Sequence, residues 1–379
     1  NLTRATAIGT GAGNDTVTFG SLTGSSAGGT LDKVNAQVAV DGGPGNDSVN
    51  LWNAAGSKSF SWSLGTKTLA FGLSKLGFNS IGHLNIVGGN LTDTLAVSAI
   101  PVGTTQTSFD GGGGYNAVYG PDVDTTFDLV APNAGLMNGG AIVFGNVLYV
   151  NGGAADDTFR IAPGIDAGVS IDGHGGGNLL DYTNWTASVT VNLDTGNASG
   201  ALGVANVDDV VGGKGSDYLT GNAEANHLSG GDGNDLLLGN DGDDVLTGGA
   251  GRNILIGGQG ADLLTGGQDD DILIDGTTDY DGDAASLRNI QTLWTDPSSD
   301  YQTRVFAVYT NFPEKLTSNT VHHDGKVDEE TGLGGRDWFW GNVSSRTFGF
   351  TDTYTDRQLD EYLNDPSFRT FPGTGGGAT

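Results

Sequence analysis

The chain has 379 residues, a formal net charge of -29 at pH 7, 67 glycines, no cysteine and hydrophobic residues at 36 %. That length holds two or three domains or one long repeat array, and the apolar fraction is too high for a disordered acidic tail. The charge argues against nucleic acid and anionic membrane as partners and points to cations; no run reaches the length of a membrane span, and disulfides and thiolate metal sites are excluded.

From the start of the chain to about residue 206, alternating segments such as KSFSWSL (58–64) and SVTVNL (188–193) predict strands. Between them a turn signature recurs, small residues leading to Asp or Asn and then to an apolar side chain. It reads TGAGNDTV ending at Val17, VDGGPGNDSV at Val49, VGGNLTDTL at Leu95, FDGGGGYNAV at Val118, VNGGAADDTF at Phe159 and IDGHGGGNLL at Leu180. The Asp or Asn positions are Asp15, Asp47, Asp93, Asn116, Asp157 and Asn178, at intervals of 32, 46, 23, 41 and 21 residues. Such intervals suit one or two coils of a solenoid of about 20 residues per coil.

Seven consecutive nonapeptides follow from Gly212 to Ile274: GGKGSDYLT, GNAEANHLS, GGDGNDLLL, GNDGDDVLT, GGAGRNILI, GGQGADLLT and GGQDDDILI. Their sixth positions are Asp217, Asn226, Asp235, Asp244, Asn253, Asp262 and Asp271, and the eighth is always leucine, from Leu219 to Leu273. A period of nine fits neither a helix nor a hairpin meander. It fits a solenoid whose glycines permit positive φ and whose leucines face inward.

This pattern, GGxGxDxUx with U a bulky apolar residue, resembles the RTX (repeats-in-toxin, hemolysin-type) nonapeptide of large secreted or surface bacterial proteins. The resemblance implies a right-handed parallel β-roll with two nonapeptides per coil, binding several Ca2+ ions. Calcium takes six to eight oxygens, which carboxylates and bent backbone carbonyls supply. The implied ligands are Asp217 with Asp235 and Asp244 with Asp262, 18 residues apart on adjacent coils, then Asp271, Asn253, Asn226 and the backbone of Gly230 and Gly248. Strands about 4.8 Å apart would stack these carboxylates in a repelling ladder unless a divalent ion lies between them. At Asp15, Asp47, Asp93 and Asp157 the side chain is either a turn stabiliser or a calcium ligand.

In the third, fifth and seventh repeats the residues flanking the inner leucine are apolar: Leu236, Leu238, Ile254, Ile256, Ile272 and Ile274. Flanking positions point outward, so one face of the roll is greasy and needs a cover, either the segment after Asp283 or a partner. That segment, DAASLRNIQTLWT and DYQTRVFAVYT, has helical spacing, and each stretch opens on an Asp suited to an N-cap. It is expected to close the last coil. The repeat returns once, at GLGGRDWFWG, with Asp337 in the sixth place, and DYDGD (279–283) resembles half an EF-hand loop.

The expected fold is all-β: a right-handed parallel β-helix over residues 1–206, continuing into a calcium-binding parallel β-roll over 207–276, with a small mixed C-terminal cap over 277–379. The chain contains no HExxH or GxSxG, and between Lys75 and Lys214 its only basic residue besides histidine is Arg160. A polyanion-processing cleft is hard to build from that composition. The expected function is therefore non-enzymatic: a calcium-stabilised structural or adhesive protein, outside the cell or on a bacterial surface. A noncatalytic appendage of a larger secreted enzyme is the alternative. The expected partners beside calcium are a second copy or neighbouring coils of a longer parent, met through the first coil or the greasy face, and cell-surface polysaccharide, the last resting on Trp52, Trp62 and Trp338.

Overall fold

The computed structural model describes residues 6–347 apart from 21–30, 32, 33, 35, 57, 73, 311, 312, 318, 325, 327 and 341–344. The tail DRQLDEYLNDPSFRTF lies outside the described residues. Two compact units divide the chain, Asn1–Tyr182 with Gly196–Asp209, and Thr183–Thr195 with Val210–Thr379.

The first unit is two facing, mainly parallel sheets. Strand alternation sets the core: in Gln37–Asp41 the buried residues are Val38 and Val40, in Ser48–Trp52 they are Val49 and Leu51, and in His83–Val87 they are Leu84 and Ile86. The Phe127 and Phe159 rings stack at 5.0 Å on adjacent parallel strands. Two antiparallel excursions interrupt the winding. One runs through Ser61–Leu64, Thr68–Phe71 and Ser74–Asn79, and the other through Thr126–Ala131, Ala134–Met137 and Ile142–Gly145. They account for the long intervals of 46 and 41 residues between turn signatures, because each adds a strand pair within a coil.

In the second unit two parallel stacks enclose the leucines. Leu219, Leu237, Leu255 and Leu273 are in register with each other and then with Phe339; Leu228, Leu246 and Leu264 are in register with each other and then with Glu330. All seven leucines are buried. The next rungs after Leu264 and Leu273 lie 66 residues on instead of 18, so 48 extra residues leave the roll after Ile274 and return to it. The segment after Gly276 is thus an insertion, after which coiling resumes. It does not close the last coil.

Its helices are α1, Ala284–Trp294, and α2, Tyr301–Thr310. Both predicted caps form: Asp283 accepts the N–H groups of Ala285 and Ser286, and Asp300 accepts that of Thr303. Leu287, Ile290, Trp294, Tyr301 and Val308 of the helices pack with Leu236, Leu238, Ile254, Ile256, Ile272 and Ile274 of the roll in one buried cluster. The greasy face is covered by the chain itself and offers no surface to a partner. Arg304, buried beside the Trp294 ring, pairs with Asp270 in a roll turn, and Arg336 lies over the Tyr301 ring. Trp62 and Trp338 are likewise buried and Trp52 is half-buried, which removes the exposed tryptophans invoked for sugar binding.

Candidate calcium sites in the turns

The sixth-position side chain of each nonapeptide points into the solenoid and joins two coils. From the third repeat onward its Oδ1 accepts the backbone N–H of the sixth residue one coil earlier. In one column Asp217 donates to Asp235 (2.7 Å), Asp235 to Asn253 (2.8 Å), Asn253 to Asp271 (2.6 Å) and Asp271 to Asp337 (2.8 Å). In the other, Asn226 donates to Asp244, Asp244 to Asp262 and Asp262 to Asp328, at 2.8, 2.8 and 2.7 Å. All nine side chains are at most 2 % exposed. Asp and Asn both carry an Oδ1, which is why either residue satisfies this position.

The other side-chain terminus separates the turns into three kinds. In the first kind the second-position N–H folds back onto the side chain. Gly213 donates to Asp217 Oδ2 (2.7 Å), and upstream Gly89 and Gly153 donate to Asp93 and Asp157 (2.6 Å each). Asn226 likewise accepts the Asn222 N–H. In these turns backbone N–H groups bond both Asp oxygens, Asp217 Oδ1 accepting from Val189 and Asp157 Oδ1 from Thr125.

In the other two kinds the second and fourth residues are left-handed: Gly231 and Gly233, Asn240 and Gly242, Gly249 and Gly251, Gly258 and Gly260. Glycine suits these positions because a Cβ there would meet the carbonyl of the preceding turn. Asn253 closes its turn with an amide, Nδ2 donating to Gly251 O at 3.2 Å. Asp235, Asp244 and Asp262 have an oxygen in that place, and each Oδ2 is buried without a hydrogen-bond partner. The oxygens beside it are carbonyls of the next coil: Gly248 O by Asp235, Gly257 O by Asp244 and Asp275 O by Asp262, where a Cβ on the first-position glycine would collide with both. Gly230 O stands in the same relation to Asp217.

Acceptor facing acceptor in a buried site is costly unless a cation or proton intervenes. Burial accordingly pushes the Asp235 carboxyl up to about 8, Asp262 to about 7 and Asp244 to about 6. Asp271 Oδ2 is also without a partner and its carboxyl is raised well above the ordinary range by burial; in its turn Asp269 replaces the fourth glycine, and the Asp269 carboxylate accepts the Gly251 N–H. Among the described residues no three His, Cys, Asp or Glu side chains gather as a metal cage. The donors are instead single carboxylates and bent backbone carbonyls, a hard oxygen set that fits calcium.

Two outcomes differ from the sequence reading. Asp328 occupies a sixth position, Oδ2 buried without a partner and its carboxyl raised by burial to about 6. The sequence hides it, because His323 and Glu330 stand where the first glycine and the leucine belong; its spacing of nine from Asp337 was the available signal. The EF-hand-like carboxylates serve the insertion. Asp281 accepts from Thr278, Asp283 caps α1 and Asp279 pairs with His322.

A parallel β-roll with an Asx ladder and carbonyl-lined carboxylates along its turns is a metal-binding solenoid. The family model of the RTX calcium-binding nonapeptide repeat (4 copies) matches residues 202–237 and 238–273, and these residues are RTX repeats, which bind several Ca2+ ions. No curated protein matches the chain.

Proposed function

We propose that the chain is a calcium-stabilised extracellular structural or adhesive element, non-enzymatic, in which ions replace missing donors at Asp235, Asp244 and Asp262, with Asp271 and Asp328 at the far end of the columns. The observation that carries this reading is the buried, partnerless Oδ2 turned toward backbone carbonyls in the turns whose glycines are left-handed. Gly248, Gly257 and Asp275 supply those carbonyls, whereas Gly230 supplies the one beside Asp217, whose turn, like that of Asn226, is already closed by an N–H group. When bound, calcium supplies the positive charge that lets stacked carboxylates stay ionised in the interior. The protein's own share is to hold the coils in register through Oδ1, to exclude water and to present the turn carbonyls.

A structural role is further supported by what the reactive side chains do. His322 and His323 pair with Asp279 and Asp275 at 2.7 Å at the base of the insertion, and His83 contacts Asn46. Secretion agrees with the repeat family, and among the described residues no helix is long and apolar enough to cross a membrane. The alternative, a noncatalytic appendage of a larger secreted enzyme, makes the same calcium sites and differs in what is joined to them. Expressing the longer parent and assaying hydrolysis of polysaccharide and ester substrates separates the two, since a parent with turnover favours the appendage.

Replacement of Asp244 tests the site itself. Asp244→Asn keeps the Oδ1 bond from Asn226 and supplies the amide donor that Asn253 already uses, so it is expected to bind one ion fewer by titration calorimetry yet melt above the parent in chelator. Asp244→Ala loses the ion and the ladder bond together and is expected to be less stable by about 1–3 kcal/mol. Equal ion counts in all three proteins would end this assignment.

The pH response has a definite sign. A folded-state carboxyl raised above its unfolded value favours folding while protonated, so the metal-free roll is most stable in acid and loses that contribution as pH rises through about 6 to 8 for Asp244, Asp262 and Asp235. Calcium competes with those protons. Its affinity is expected to climb over the same interval, with protons released on binding at pH 6.5, measurable in a pH-stat; binding without proton release would contradict it.

A further inference from the structure

In the first unit the parallel strands Ala117–Tyr119, Tyr149–Asn151, Ser170–Asp172 and Gly203–Ala205 lie side by side. Their middle residues Val118, Val150, Ile171 and Val204 face the core, so the residues on either side of them face outward. Tyr119 and Tyr149 are exposed there on adjacent strands, each ring beside small or polar neighbours: Tyr149 is in register with Ala117 and Ser170, and Tyr119 with Asn151, itself in register with Asp172. Exposed aromatic side chains are rare in this protein. Among the described residues the others are Tyr115 and Phe306.

Where these strands end, a hollow of about 430 Å³ opens, lined by Tyr119, Asp122, His174, Asn206 and the backbone of Gly152 and Gly153. The coil between Tyr119 and His174 keeps its side chains out of it: Asn151 is buried with its amide on Val118 O at 3.1 Å, and the two glycines follow. The Tyr119 and His174 rings, two coils apart, come to 6.1 Å between centroids. His174 holds a second-position place in its turn with φ 64°. At the corresponding left-handed places elsewhere the residue is Gly or Asn, with Leu333 the one other exception among the described residues, so the imidazole is kept at a cost in backbone strain. The polar groups are set in advance. Asp172 Oδ1 accepts the His174 N–H (3.0 Å) and Asn206 Nδ2 (2.6 Å), and Asp172 Oδ2 stands 4.0 Å from His174 Nε2.

We propose that this face binds an uncharged sugar residue of a polysaccharide. A neutral sugar has an apolar C–H face and a rim of hydroxyls, which matches tyrosine rings beside a carboxylate, an amide and an imidazole able to accept and donate hydrogen bonds. An anionic sugar is repelled by Asp122 and Asp172, and Arg160, the only Lys or Arg between Lys75 and Lys214, is paired with Asp128 and Asp181 on the facing sheet. The inference deepens the adhesive reading and rests on it, supplying the sugar contact that the buried tryptophans do not.

The test is affinity electrophoresis of the full chain in millimolar calcium, through native gels containing soluble dextran, mannan or β-glucan, with polygalacturonate and chitosan as charged controls. The parent is expected to be retarded by a neutral polysaccharide and not by polygalacturonate. Tyr119→Ala and Tyr149→Ala are each expected to bind about tenfold more weakly with unchanged melting and calcium content. His174→Gly is expected to bind more weakly while melting higher, because glycine relieves the strain that the imidazole imposes; a purely structural histidine would not separate the two. Retardation by chitosan alone, abolished by salt, would overturn the site, as would equal retardation of the parent and both tyrosine variants. Adhesion to intact bacterial cells is measured in parallel. Cells bound without any polysaccharide bound would overturn this site and leave the adhesive reading standing, whereas neither bound would overturn both.

Discussion

Exhaustive chelation of the full chain is expected to remove most of the β circular dichroism contributed by the roll, and millimolar calcium to restore it. Extracellular calcium modules have dissociation constants on the order of 0.1–1 mM. At a free concentration near 10 mM, about 10 to 100 times those constants, each ion stabilises by about 1.4–2.7 kcal/mol, so ions at Asp235, Asp244 and Asp262 together contribute roughly 4–8 kcal/mol. That is the size of a whole domain's net stability, about 5–15 kcal/mol, so little is left without them. Trp294, Trp338 and Trp340 all lie in the buried cluster between insertion and roll, so their fluorescence should shift to the red as calcium falls. Unchanged spectra and melting after complete removal of calcium would contradict the coupling.

Trp294→Ala is expected to be the most damaging single substitution in the cover. The side chain is fully buried, meets Tyr301 edge-on at 5.8 Å, lies under the Arg304 guanidinium at 5.3 Å and donates its indole N–H to Asp270 O at 3.2 Å. Truncation of a buried aromatic typically costs about 3–5 kcal/mol, and here it also loosens the ion pair of Arg304 with Asp270. Because the uncovered Leu and Ile side chains then face water, the variant is expected to need more calcium to fold and to bind a hydrophobic dye at calcium concentrations where the parent does not. Calcium titration followed by circular dichroism checks this. A folding midpoint within error of the parent would show that the helices are dispensable to the roll.

Local chemistry made much of this protein readable from its sequence. A period of nine with leucine at the eighth place and Asp or Asn at the sixth determines inward and outward positions, the spacing of 18 between stacked turns and the oxygen-rich composition that calls for calcium. The same alternation marked Leu236, Ile254 and Ile272 as an outward apolar stripe needing a cover, and the aspartates at 283 and 300 marked where the covering helices start. These are short-range signals, carried within one turn or one strand.

Only the tertiary structure decided the rest, because it depends on which residues of different coils meet. Asp217 and Asp235 occupy the same motif position, yet the Gly213 N–H closes one turn and the left-handed Gly231 leaves the other open. Asp47 and Asn178 occupy the same place in the turn signature, and only the structure sets the carbonyls of Ser80 and Asn206 opposite them. The coil at Asp328 is hidden because His323 and Glu330 break the motif around it and the 48-residue insertion stretches the ladder bond from Asp262 to 66 residues. Sequence thus determined the coil and its charge, whereas the stacking of one coil on the next determined which carboxylates lack a partner, because a hydrogen bond between coils depends on backbone direction at two remote turns at once.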